Sequence, residues 1–232
     1  MLCSAQLRRC MTTIEAEEQF KLARASESVS PSVCNMHAGF YLTPLGRFEE
    51  ALQDSHKAIA QDPLNMAYRG WHLHILLSAE MYERAIVEAQ NGLEIDKRHI
   101  AAYSQIALAH FFQGKHAEAR EWAEEAFRRT PWNGLAVGLL AGLVKQSGEK
   151  ERLEKLETTL RGMSLPRMIP LGMIINHVVC SEIDAAIDWY EHAIEQRQPF
   201  AAGWASAGFF RPLRSSRRWP KLARMMSLPE TG

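Results

Sequence analysis

The chain has little of what a membrane, an oxidising compartment or a nucleic acid would demand. Its longest apolar stretches are Gly134–Val144 and Met168–Cys180. The first is too short to cross a bilayer as a helix, which takes about 20 residues, and the second is interrupted by Pro170, Asn176 and His177. No membrane association is expected. The N-terminal MLCSAQLRRC carries two arginines but no apolar run of signal-peptide length. Cysteine is sparse: Cys3, Cys10, Cys34 and Cys180 include no Cys-x-x-Cys pair. A secreted disulfide scaffold is shorter and denser in cysteine, so these read as reduced thiols in a cytoplasmic protein. Cys180, inside an apolar run, reads as a small core residue. Neither sign of charge is in excess, with 27 Lys plus Arg against 27 Asp plus Glu. A chain built for nucleic acid normally shows a basic surplus, so no nucleic-acid partner is expected.

Motifs for catalysis and for metal binding are also missing. No Gly-x-Ser-x-Gly occurs. FFQGKHAEA contains Gly-Lys without the upstream glycine and following Ser/Thr of a phosphate loop. Among the nine histidines, His72 and His74 are two apart, which turns them to different faces of a helix. His110 and His116 are six apart with no acidic pair to complete a ligand set. Neither a metal nor another cofactor is expected, and the chain reads as no enzyme. Gly134, Gly138 and Gly142 share one helical face. In so short a stretch that pattern points to close helix packing rather than to a membrane dimer motif.

What the sequence does have is an internal period. GRFEEALQDSHKAIAQDP begins at Gly46, EMYERAIVEAQNGLEIDK at Glu80 and GKHAEAREWAEEAFRRTP at Gly114. Ala51, Ala85 and Ala119 are 34 apart, and Ala58, Gly92 and Ala126 keep the same step. A fourth copy starts at Gly148 and a fifth at Ser181, the last step shortened by one residue. Upstream, Ala16, Phe20 and Ala23 repeat the spacing of Ala119, Ala123 and Ala126, which marks an orphan second helix. Each copy divides into two amphipathic helices. Small residues fall where the helices approach closely, glycines Gly46, Gly114 and Gly148 suit the turn that ends a first helix, and Asp62-Pro63 and Thr130-Pro131 stop a second one.

These residues resemble the tetratricopeptide repeat family, over roughly Thr13 to Pro199. The resemblance implies an all-α fold, a right-handed superhelical array of helix–turn–helix repeats, that is, an α-solenoid. The implied organisation is a leading segment with the orphan helix (1–31), five hairpins (32–199) and a C-terminal cap (200–232). The last segment, FRPLRSSRRWPKLARMMSLP, looks like the tail that closes the C-terminal repeat array of bacterial multidomain signalling and transcription regulators. Ser216 with Pro220 reads there as a capped helix start. Arg211, Arg214, Arg217 and Arg218 make this tail basic; they read as a possible basic patch beside Trp219, or as the solvated face of a capping helix.

Repeat arrays of this kind present a concave surface lined by their first helices. Helical register places Met36, Phe40, His74, Leu77, Ser104, Leu108, Phe111 and Phe112 near it, followed by Lys145 and Gln146. Such a groove suits an apolar or amphipathic segment of a peptide or protein partner, although large apolar side chains are more often core. Met36, Phe40, Gly70 and His74 offer none of the cations with which some family members clamp a carboxylate. The expected function is a non-catalytic interaction scaffold. The alternative is a regulatory or sensor module separated from, or working with, a kinase, a cyclase or a winged-helix regulator. The orphan helix leaves Phe20 to rest on the next repeat or to recruit a second chain, and a homodimer through this end is one expectation. Size-exclusion chromatography with light scattering checks it: a clean monomer of 26.3 kDa at high concentration counts against the dimer.

Overall fold

The computed structural model describes residues 13–25 and 29–228, so Cys3 and Cys10 lie outside the described residues. A leading helix, α1 (Thr13–Arg24), precedes five helix pairs. They are α2 (Pro31–His37) with α3 (Phe48–Gln61), α4 (Met66–Ser78) with α5 (Tyr82–Ile95), and α6 (Ile100–Phe112) with α7 (His116–Arg129). Then come α8 (Gly134–Gln146) with α9 (Lys150–Arg161), and α10 (Met168–Val179) with α11 (Ile183–Glu195). Short helices close the chain: α12 (Pro199–Gly203), a 3-10 turn (Gly208–Phe210), α13 (Arg211–Arg214) and α14 (Trp219–Met225). The described residues contain no strand, and no described helix is long and apolar enough to cross a membrane. The fold is an α-solenoid.

The turns follow the sequence period. Gly46, Gly114 and Gly148 have φ of 71°, 76° and 78°. Glu80 and Ser181, in the same register, take φ of 59° and 58° without being glycine. All five turns use the left-handed conformation, which two of them reach against the Cβ penalty. Asn65 caps α4 by accepting the amides of Ala67 and Tyr68, and Asn133 caps α8 by accepting that of Leu135. The first helix of the first pair departs from the pattern. After His37 it widens into a π-turn over Ala38–Leu42, closed by the Thr43 amide on the Ala38 carbonyl at 3.0 Å.

Small residues set the helix spacing. Ala51, Ala58, Ala107, Ala119 and Ala126 are wholly buried. A Cβ on Gly39 would meet the Trp71 ring at 2.7 Å. The closest approach is between α8 and α10. There the Met168 carbonyl occupies the place of a Gly134 side chain, and the Gly172 carbonyl that of Gly138. The three-glycine face of α8 therefore serves packing inside the chain.

The leading helix docks through Phe20, whose ring lies 4.9 Å from His37 and 5.6 Å from Tyr41. Of the two fates expected for Phe20, the structure shows rest on the next repeat. The dock is completed by buried Asp54 of α3. It receives Arg24 at 2.9 Å, His37 Nδ1 at 2.7 Å and Lys57 at 3.0 Å. Burial pushes the Asp54 carboxyl up, but hydrogen bonds from His37 and Lys57 and the Arg24 charge outweigh it and hold the group below its ordinary value. At the other end, Tyr190 of α11 is buried between Phe210 and Trp219 and donates its hydroxyl to the Ala201 carbonyl. Ser216 does not cap a helix directly: α14 starts after Arg218, whose amide donates to Ser216 Oγ at 3.3 Å.

Because backbone fills the space beside Gly138, replacing it with valine forces α8 and α10 apart. Gly138→Val is expected to lower unfolding free energy by about 1–3 kcal/mol or more, read from urea denaturation followed by circular dichroism.

Candidate functional site

The repeat register brings Phe40, His74 and Leu108 onto one line, and Met36, Gly70 and Ser104 onto the next. Their surroundings differ sharply. Met36, Phe111 and Phe112 are half-buried, and Phe40 is 36% exposed. His74, Leu77, Ser104 and Leu108 are buried to within a few per cent. Lys145 pairs with Glu182 at 2.6 Å, and exposed Gln146 donates to the Val179 carbonyl at 2.7 Å.

The reason for the burial around His74 lies at the far end of the chain. After α12 the backbone turns back into the hollow of the array. His74 Nε2–H donates to the Gly203 carbonyl at 3.3 Å, and its ring stacks on Trp204 at 4.9 Å with 22° between the planes. Phe209 sits 5.3 Å from Trp204 and 5.7 Å from Phe112. Ser206 donates its hydroxyl to the Thr43 carbonyl in the first pair, and Arg211 pairs with Glu80 in the second. A side chain on Gly208 would collide with Glu80, so the left-handed turn residue of the second pair and the returning segment interlock. The concave face is thus not an open groove along its length: the part around His74 and Phe112 is packed with residues 203–211 of the same chain.

What stays open is a cavity of about 370 Å³ between α4, α6 and the returning segment. Its walls are Trp71 and Trp204, with His74, His99, Gln105 and the aliphatic Met66, Ala67, Ile100 and Ala101. Gly70 adds no side chain, and Arg98, 90% exposed and 3.2 Å from Asp96, stands at the rim. Beside the cavity Phe40 packs on Trp71, with ring centroids 4.4 Å apart. Within it, Gln105 Nε2 donates to the Gly70 carbonyl at 3.3 Å, while Gln105 Oε1 has no partner. His99 Nε2 has none either, and burial followed by the Arg69 charge pushes that imidazole below its usual range. The size and the mixture of apolar walls with a few polar groups suit a ligand side chain or a small molecule.

The basic tail is largely engaged within the chain. Besides Arg211 on Glu80, half-buried Arg214 donates to the carbonyls of Ala205 and Ala207 at 3.0 and 2.6 Å. Arg218 bridges Asp188 and Glu191, and Lys221 also reaches Glu191. Arg217 is exposed. Among the described residues no three His, Cys, Asp or Glu side chains stand together as a metal site. Cys34 is buried; Cys180 is half-buried rather than fully in the core, its Sγ 3.6 Å from the Gly142 carbonyl.

A family model described as tetratricopeptide repeat matches residues 99–130, the third pair with its flanking turns. That match makes the third pair a tetratricopeptide-like repeat. In structure the array is similar to a thermophilic tetratricopeptide repeat protein of Thermus thermophilus, with a TM-score of 0.53 at 18% identity, over 70% of this chain and 89% of that one. No curated protein matches the chain in sequence. Register alone put Phe40 and His74 on one line of the array. It missed Trp71, Gln105 and Trp204. Trp71 and Gln105 share a register of their own, one step of 34 apart, which could have been read as a second inward row. Trp204 lies beyond the period and had no such signal.

Two buried histidines make the array sensitive to acid. Burial, then the neighbouring His56, pushes His72 down to about 3; burial pushes His74 down to about 4, with the Gly203 carbonyl opposing it only in part. The unfolded chain takes up these protons near pH 6.5, whereas the folded chain does not. This stability is therefore complete above pH 6.5 and is lost as pH falls from there to about 4 for His74 and about 3 for His72. The urea midpoint is expected to drop between pH 7.5 and pH 5. His74→Gln, which keeps a donor for Gly203 but does not titrate, should flatten that slope.

Proposed function

We propose that this chain is a non-catalytic interaction scaffold that holds a peptide or protein segment on the part of its concave face left open between the first and third pairs. Tetratricopeptide repeats are in general protein-interaction modules, and their concave surfaces are where such segments lie. The observation that carries the reading is the uncovered step of Phe40 on Trp71 beside the 370 Å³ cavity. Elsewhere on that face Phe112 and His74 already have an occupant from their own chain. A partner segment would gain aromatic surface at Phe40 and Trp71 and bury an anchor in the cavity, the arrangement in which few residues carry most of the binding energy. Met36 flanks this surface; Leu77, Ser104 and Leu108 support it from the core. Self-association through the leading helix would have to use Leu22, 70% exposed, because Phe20 is spent on His37 and Tyr41.

Selection from a displayed random-peptide library against the immobilised full chain, followed by calorimetry, tests this reading. Selected peptides should lose about tenfold in affinity or more on Phe40→Ala, a loss of roughly 1.4 kcal/mol, while Arg217→Ala leaves them unchanged. No selected binder, or binders indifferent to Phe40→Ala, would overturn it.

A further inference from the structure

We infer that the cavity between Trp71 and Trp204 is a socket for one aromatic side chain that carries a hydrogen-bond donor, a tryptophan or tyrosine on an acidic partner segment. This rests on the interaction reading above and specifies what that site recognises. The first support is an unmet acceptor. Gln105, which lines the cavity, is 8% exposed, its Nε2 is spent on the Gly70 carbonyl, and its Oε1 is buried without a partner. A buried acceptor left unpaired is costly, and an entering N–H or O–H meets that need. An indole or phenol supplies one donor on an otherwise apolar ring, and such groups find a partner when they are buried. A phenylalanine or leucine anchor would fill the space and leave Gln105 unpaired.

The second support is the space itself. Gly70 lies in the interior of α4, where glycine is about 1 kcal/mol worse than alanine. Nothing in the packing asks for it: a Cβ there would meet Ala101 and His99 at 3.4 and 3.6 Å, ordinary contact distances. Its φ is not left-handed. What the missing side chain supplies is room in the cavity, bounded by two indole rings and two imidazoles. The third support is charge. The mouth carries Arg98, which pairs with Asp96, and Arg69 stands close enough to act on His99. That balance favours a segment with a carboxylate next to the ring.

The test uses the full chain labelled with 15N. N-acetyl-tryptophanamide, N-acetyl-tyrosinamide and N-acetyl-phenylalaninamide are titrated separately and followed at the indole N–H signals of Trp71 and Trp204 and the Gln105 side-chain amide. The tryptophan and tyrosine amides should shift these signals, and the phenylalanine amide should bind at least about fivefold more weakly, the value of one ordinary hydrogen bond. Gln105→Leu should erase that difference. Gly70→Leu should abolish binding while helical content and urea midpoint stay at or above those of the unmodified chain; Gly70→Ala, which the packing accommodates, should weaken it. Equal binding of the three amides, or none, overturns the proposal. Displayed peptides that depend on Phe40 yet lack tryptophan or tyrosine would overturn the socket and leave the scaffold reading standing. Amides that bind as expected, with no displayed peptide selected, would do the reverse.

Discussion

One buried contact governs the shape of this array. A neutral imidazole, His74, gives its single N–H to the Gly203 carbonyl and its face to Trp204. Repeat stacks ordinarily touch only neighbour to neighbour, which lets them flex like a spring. Here bonds join residues 129, 131 and 163 positions apart, at His74, Glu80 and Thr43. The segment 203–211 is thereby tied to the first and second pairs, and the curvature between them is fixed. Trp204 also serves as a wall of the cavity beside Trp71, so the contact that fixes the curvature also completes the candidate site.

Charge is distributed to the same end. Most ion pairs lie on the surface, such as Arg120 with Glu149 between the third and fourth pairs and Lys145 with Glu182 between the fourth and fifth. Exposed pairs of this kind contribute little each. Asp54 differs because it is buried beneath three basic groups. Removing one partner of a buried charge costs far more than a surface pair contributes. The leading helix therefore docks chiefly through one carboxylate and one ring, Asp54 and Phe20, each supplied at a fixed place in the repeat register.

The local half of this architecture was legible in the sequence. A helix pair and its turn are dictated by residues within one period, so the alanine rows, the turn glycines and the shortened step to Ser181 could all be read from residue types and spacing. Gly138 on α8 was legible as a packing residue for the same reason. Glu80 kept the turn register without the turn residue, and only the positive φ reveals what the interlock with Gly208 holds in place. The π-turn at Ala38–Leu42 left no periodic trace. His74 could be placed in register with Phe40, but its exposure could not be read. Burial depends on what covers a residue, and its cover comes from residues 203 and 204, outside the repeat. Trp71 was readable in principle from its step to Gln105; Trp204 was not.

Chains are made from their N-terminus, and domains begin to fold in that order. Helical hairpins form from local contacts, so the first three pairs can assemble while residues 203–211 are still to be joined. During that interval Phe112 and His74 line an uncovered hollow, and the segment that fills it is synthesised later. The growing chain thus passes through a stage in which it exposes a sticky interior that the finished fold conceals. Whatever shields this surface on the ribosome acts on a face that the mature protein no longer offers.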